Sequence, residues 1–217
     1  MTQEKNFIAK EGYIFLLITG IVAVVLFVWH VFAGVVGAVC FLFCVYFFRN
    51  PPRLKPYALD QLTAPADGRV IFIGRVIENH FFNKPMQKIS IFMSPFNVHV
   101  NRAPMTGEVM GKRYCRGVFL AAFDERAGDQ NERSAVLLKT DDGDDIVFVQ
   151  IAGWFARRIV SYPERGDRLL QGQIFGLIRF GSRMDIYFPD TFEPAVVLKQ
   201  KVSAGRTVIA AKGKQVS

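Results

Sequence analysis

The stretch "GLIRFGSRMDIYFP", residues 176–189, decides how the rest of the chain is read. From Ser182 onward it alternates as a strand does, with Arg183, Asp185 and Tyr187 on one face and Met184, Ile186 and Phe188 on the other. A Gly181-Ser182 pair stands where an uninterrupted strand would carry a β-branched residue. Glycine within a strand weakens it and marks a bulge or a close approach of backbone. The alternation predicts β structure; the pair asks what needs an uncrowded carbonyl followed at once by a hydroxyl.

Similar short apolar runs lie upstream, among them "GRVIFIGRVI", "KISIFMSPFNVHV", "GEVMGKRYC", "SAVLLKT", "DIVFVQIAG" and "GQIFGLIRFG". Runs of this length, punctuated by Gly, Pro and Asp, predict a mainly β domain, a sandwich or barrel. The acidic stretch 141–145 reads as a hairpin turn, its carboxylates solvated rather than holding a metal. Helix is expected only in short pieces, near 119–128 and 154–160. "PADGRVIFIG", "ERGDRLLQGQIFGLI" and "KVSAGRTVIA" share a small turn, a glycine and an alternating run, like the hairpins of lipoyl-type barrel-sandwich hybrids. A carrier domain of that type needs a modifiable lysine at a hairpin tip, and no Met-Lys or Asp-Lys pair occurs.

Gly12 to Phe48 contains no Asp, Glu, Lys or Arg. One straight helix of that length would overshoot a bilayer core of about 30 Å. Two helices, 13–29 and 31–48, meeting near Trp29-His30, fit better, as a spanning or a shallow re-entrant hairpin. Lys5 and Lys10 precede the block and Arg49, Arg53 and Lys55 follow it, which places both ends in the cytoplasm by the positive-inside tendency. The organisation expected is a membrane-anchoring hairpin at 1–48, a basic Pro-rich linker at 49–60 and a β domain at 61–217, held at the cell membrane and facing the cytoplasm.

Lys5 and Lys10 balance Glu4 and Glu11, so the formal net charge of +8 belongs to the part beyond the hairpin. Beside a bilayer such a domain is drawn to anionic head groups. Nucleic acid is not the expected partner, since no nucleic-acid motif or aromatic-basic repeat is present. Cys40, Cys44 and Cys115 form neither a disulfide framework nor a metal-ligand pattern, and no metal site is expected.

At Gly181-Ser182 a serine hydroxyl pressed against the preceding carbonyl can convert the peptide bond to an ester by an N-to-O acyl shift. Glycine offers no Cβ to obstruct the attack. β-Elimination then cuts the chain, and hydrolysis of the dehydroalanine leaves a pyruvoyl group, an electron sink made from the protein itself. Gly-Ser pairs are common, and the pair alone does not single this chemistry out.

Its companions do. "FGSRMDIYFP", "PADG" at 65–68, "SPFNVHVNRAP" at 94–104, "NER" at 131–133 and "QIAGWFARRIV" at 150–160 closely resemble the short-form phosphatidylserine decarboxylases, from about Phe47 to the C-terminus. These are pyruvoyl-dependent membrane proenzymes that mature by serinolysis. The resemblance implies cleavage between Gly181 and Ser182, giving a β chain of 1–181 and an α chain of 182–217 with the pyruvoyl group at Ser182. It implies a Schiff base between that ketone and the serine amine of phosphatidylserine, or of the archaeal serine lipid analogue, and release of the ethanolamine lipid. Asp67 matches the acid that assists cleavage, and His99 the histidine linked to decarboxylation. The longer bacterial enzymes carry a second histidine three positions later, the base of their cleavage triad, where this chain has Arg102. An arginine cannot take up a proton at neutral pH. The base is then His99 serving both steps, or Asp67 acting on Ser182 directly or through water.

Arg102, Arg157, Arg158 and Arg183 are candidates for holding the lipid phosphate, each with a solvated surface role as the alternative. His30 belongs to the helix junction and His80 to a loop, as interfacial and packing residues. Two rival functions stand beside the decarboxylase: a soluble-type pyruvoyl amino-acid decarboxylase, and a membrane-tethered β-sandwich adaptor without activity.

Overall fold

The computed structural model describes residues 6–53, 60–118, 130–153, 158–179 and 182–213. The chain divides into two compact units, Met1–Pro52 and Arg53–Ser217.

In the first unit a short turn of 3-10 helix leads into α1, Tyr13–Trp29, and α2, Val31–Phe47. These bounds agree with the expected helices to within one residue. His30 alone, extended at φ −157° and ψ 125°, breaks the run. The helices fold back on each other where side chains are smallest. A Cβ on Gly34 would strike Phe27, and one on Gly37 would lie 2.8 Å from the Ala23 Cα, so glycine is what lets the backbones approach. The two ends of the hairpin are tied by N–H donation from Ala9 to the Phe48 carbonyl at 2.8 Å and from Asn50 to the Phe7 carbonyl at 2.6 Å. Leu17, Val24, Val28, Val35, Val39 and Leu42 all face outward. The segment Lys10–Trp29 is long and apolar enough to cross a membrane, and Val31–Phe47 is shorter.

The second unit is mainly β. Its strands are β1 Gln61–Thr63, β2 Gly68–Glu78, β3 Lys84–Met93, β4 Val100–Arg102, β5 Gly107–Cys115, β6 Arg133–Thr140 and β7 Asp145–Ala152, followed by β8 Ile159–Ser161, β9 Arg168–Leu169, β10 Ile174–Ile178, β11 Ser182–Phe188, β12 Phe192–Pro194, β13 Lys201–Val202 and β14 Val208–Lys212. A curled eight-stranded sheet runs β13-β2-β3-β11-β7-β6-β5-β9, and two three-stranded sheets, β1-β14-β12 and β4-β10-β8, complete the unit. Register shifts in β2 near Val70 and in β5 near Val109 mark the irregularities at which such a sheet bends. Gly68 begins β2 so close to β3 that a Cβ would collide with the Phe92 carbonyl oxygen, and only glycine fits there. The acidic stretch 141–144 is the turn between β6 and β7, with Gly143 at φ 85°.

One short helix is corrected. Ile159 and Val160 belong to β8, which pairs with β10, and 154–157 lie outside the described residues. Two β-branched side chains beside an open strand edge favour the ladder over a helical turn. The other expected helix, 119–128, also lies outside the described residues.

β11 sits at the centre of the large sheet, between β3 and β7, and all seven of its residues are buried. Met184, Ile186 and Phe188 join the main core with Ile89, Ile91 and Phe148. Tyr187 packs on the opposite face with Met86, Val147 and Val149, against Phe81 and Phe82.

Candidate active site

Strand register assembles the site. Arg69, Phe92, Arg183, Ile151 and Arg133 lie side by side across β2, β3, β11, β7 and β6. One step toward the end of the sheet, Ser182 stands between Met93 and Ala152. Glu132 continues that row, its carbonyl accepting the Ala152 N–H at 2.9 Å. Asp67 immediately precedes β2 at the same end, two strands from β11, a separation on the order of 10 Å at ordinary strand spacing.

The Ser182 side chain is wholly buried and its Oγ lies 3.3 Å from the Met93 sulfur. A thioether is a weak acceptor, so the hydroxyl is lightly held. The same sulfur is 3.8 Å from Asn101 Nδ2, and Asn101 Oδ1 accepts a hydrogen bond from Gln150 Nε2 at 2.9 Å. Gln150 also donates to the Val160 carbonyl at 3.2 Å. On the other flank Asn131 Nδ2 donates to the Ala152 carbonyl at 2.7 Å. Gly181 lies outside the described residues.

His99, just before β4, is buried, and its carbonyl accepts the Ile178 N–H at 3.4 Å, four residues ahead of Ser182. Its Nδ1 is 3.0 Å from the Asn97 carbonyl oxygen. A carbonyl can only accept, so that contact places the proton on Nδ1 and makes Nε2 the basic nitrogen of the neutral ring. The Asn97 turn is itself fixed, since Asn97 Oδ1 accepts from both the N–H and the hydroxyl of Ser94.

The Asp67 carboxylate is engaged at both oxygens, accepting from Arg53 Nη2 at 2.7 Å and from the Ala204 N–H at 2.7 Å. Arg102 is buried and donates from Nη1 to the Gly172 carbonyl at 2.9 Å, while its own N–H bonds the Pro65 carbonyl. Arg183 points to the face opposite Ser182 and is bonded to Asp185. Arg158 is exposed, and Arg157 lies outside the described residues.

Sequence reasoning did not single out Met93, Asn101, Gln150, Asn131 or Glu132, although all but Met93 lie inside the quoted motifs. For Asn101 and Gln150 the signal was a polar residue within a strand, each fully buried. Tyr114, on β5, was missed altogether; it donates to Glu132 Oε1 at 2.8 Å. Burial, then the hydrogen bond and charge of Glu132, raise the Tyr114 hydroxyl above its ordinary pKa, against the opposing pull of Arg116 and Arg158. Tyr114 is therefore a protonated donor at neutral pH. Among the described residues no group of His, Cys, Asp and Glu is arranged to hold a metal.

Comparison with known proteins gives the class and then the family. The chain is 47% identical over 211 residues to the phosphatidylserine decarboxylase proenzyme of Geotalea uraniireducens, covering 96% of this chain and 98% of that one. It is 52% identical over 168 residues to the proenzyme of the same description from Citrifermentans bemidjiense, covering 77% and 76%. It is 41% identical over 207 residues to that of Syntrophus aciditrophicus, covering 94% and 97%. Such chains are decarboxylases named for a precursor form. Residues 40–210 match the family profile described as phosphatidylserine decarboxylase. The chain belongs to the phosphatidylserine decarboxylase family.

Proposed function

We propose that this protein decarboxylates phosphatidylserine, or its archaeal serine lipid analogue, to the ethanolamine lipid, using a pyruvoyl group made from Ser182 by cleavage of the Gly181–Ser182 bond. The observation that carries the reading is the wholly buried serine opening the central strand, with His99 and Asp67 brought to the same end. Its surroundings fit the group. A ketone is uncharged, so it can occupy a buried position bounded by a thioether and two strands at little desolvation cost, where an ion could not.

In the self-cleavage, Ser182 Oγ attacks the Gly181 carbonyl carbon as its proton passes to a base, and the amide C–N bond gives way to an ester. Loss of an α proton and of the Gly181 carboxylate then leaves dehydroalanine, and one water converts it to the ketone with release of ammonia. The weak Met93 contact leaves the hydroxyl ready to attack. His99 Nε2 is the proposed base. Asp67, already paired with Arg53, acts at this end through a bridging water or by charge.

A pyruvoyl group at residue 182, flanked by Met93 and Ala152, would supply a carbonyl for the substrate amine and a sink for electrons. His99 returns a proton to the substrate α carbon. Asn101, Gln150 and Asn131 hold the strands around residue 182 in place. Arg158, exposed at this end with Arg116, is the candidate for the lipid phosphate, because Arg102 and Arg183 are committed elsewhere. Residues 1–48 are assigned as a membrane anchor and 49–60 as a basic linker, with the catalytic domain, 61–217, on the cytoplasmic face.

Intact mass spectrometry of the purified protein tests the reading. Two chains divided ahead of residue 182, the second carrying a carbonyl that borohydride reduces, are expected. A single uncut chain in active protein overturns it. Turnover of serine phospholipid in vesicles but not of free serine separates it from a soluble amino-acid decarboxylase.

A further inference from the structure

The face of β11 turned away from Ser182 carries a cluster that the reaction does not use. Arg183 is 4% exposed and Asp185 1%. The guanidinium grips the carboxylate with two parallel bonds, Nε to Oδ1 and Nη2 to Oδ2, both 2.7 Å. Lys88 of β3 adds a second cation, its Nζ 3.0 Å from Asp185 Oδ2. Ser90 stands directly across the strand pair from Asp185. Burial pushes the Asp185 carboxyl up, but the Arg183 hydrogen bond and charge, then Lys88 and Ser90, outweigh it and hold the group below its ordinary value.

Buried charges of this kind are retained at a cost in desolvation, and their location suggests what they do. Cleavage ahead of residue 182 turns a residue in the interior of the chain into a chain end. It also removes the N–H of residue 182, which is paired with Met93 on β3 and Ala152 on β7. Chain ends fray unless they are tied down. The first side chain after the cut, Arg183, belongs to the cluster, and the cluster joins β11 to β3.

We propose that Arg183, Asp185 and Lys88 form a clamp that holds residue 182 in register once the chain is cut. The proposal rests on the cleavage reading above. The three are positioning residues, since none lies on the face that carries the Ser182 side chain. In the uncut precursor the covalent chain also holds residue 182, so its register depends on the clamp alone only after maturation.

The test is amide hydrogen exchange at Met184 and Ile186 in full-length protein in detergent, with and without Asp185→Asn. Each is measured in the cut wild-type background and in the uncut Ser182→Ala background. Asp185→Asn should accelerate exchange at least about tenfold more in the cut protein than in the uncut one. Lys88→Met, at the partly exposed edge of the cluster, is the milder variant if Asp185→Asn does not fold. In mature enzyme it should lower kcat about three- to tenfold with KM unchanged, and Lys88→Arg should restore it. Equal acceleration in both backgrounds means a merely structural pair and overturns the clamp, as does no acceleration in either. Variants that fold but stay uncut show that the cluster acts before the cut, which also overturns it. A wild-type protein that is itself uncut removes the cleavage reading and the clamp with it, an outcome recognised from mass alone.

Discussion

The two faces of β11 share one backbone and opposite chemistry. On one, Ser182 meets a methionine sulfur and the following side chains are core hydrocarbons. On the other, Arg183 and Asp185 are saturated with charged partners although neither reaches solvent. The hydroxyl proposed to react is left lightly bound, while its neighbours one and three residues on are held in a charged network. The contrast teaches that strand alternation lets a lightly held hydroxyl and a tightly paired charge cluster coexist a single residue apart.

The largest effect expected on this contrast is from Ser182→Ala, which should leave the chain uncut and reduce decarboxylation by at least about 10⁵-fold, read by intact mass and carbon dioxide release. Retained activity would mean that the lightly held face is not the reactive one. His99→Gln should lower kcat about 10²–10⁴-fold in protein that has matured. Mass spectrometry on the same sample shows whether cleavage fails as well, which decides whether one histidine serves both steps.

Asp185→Asn attacks the other face. It leaves the buried Arg183 and the partly exposed Lys88 without their counter-charge and should destabilise the fold by about 3–5 kcal/mol, measured by denaturant unfolding of the Ser182→Ala protein. A loss under about 1 kcal/mol would show the charged face to be no tighter than a surface pair. The smallest effect is in pH. The folded pKa of Asp185 is lowered, so its contribution is complete above the ordinary carboxylate value, about 4, and fades as pH falls through the folded value. Stability of the Ser182→Ala protein should therefore decline below about pH 4, and less steeply once Asp185 is Asn.

Much of this was legible in the chain. The uncharged run from Gly12 to Phe48 marked both helices, and a residue at the junction, His30, was visible as the break. The alternation after Ser182 gave the side assignment of every residue in β11. The face bearing Arg183 and Asp185 was legible as polar but not as buried, because period-2 alternation does not say what covers the second face. Here the curl of the sheet and the side chains of Phe81 and Phe82 cover it. Arg183 read as a candidate anion holder for the same reason; its partner Asp185 is two residues away, whereas Lys88 lies far away in sequence and meets Asp185 only through the β3–β11 register. Ile159 and Val160 read as helix because the strand they join, β10, is distant along the chain.

By itself the sequence determined the apolar hairpin, the β character and the Gly181-Ser182 pair at the head of an alternating run. These follow from local quantities: hydropathy, periodicity and the chemistry of a hydroxyl after a glycine. Only the tertiary structure decided that Met93 rather than a strong acceptor meets Ser182, that Asp67 is held by Arg53, and that Arg183 is held by Asp185. Apart from the Arg183 pair, those partners are 14 to 89 residues apart, and even Arg183 is turned from solvent only by packing of the whole sheet. Which polar atoms meet inside a folded chain is set by register and burial, and neither is a property of any short stretch.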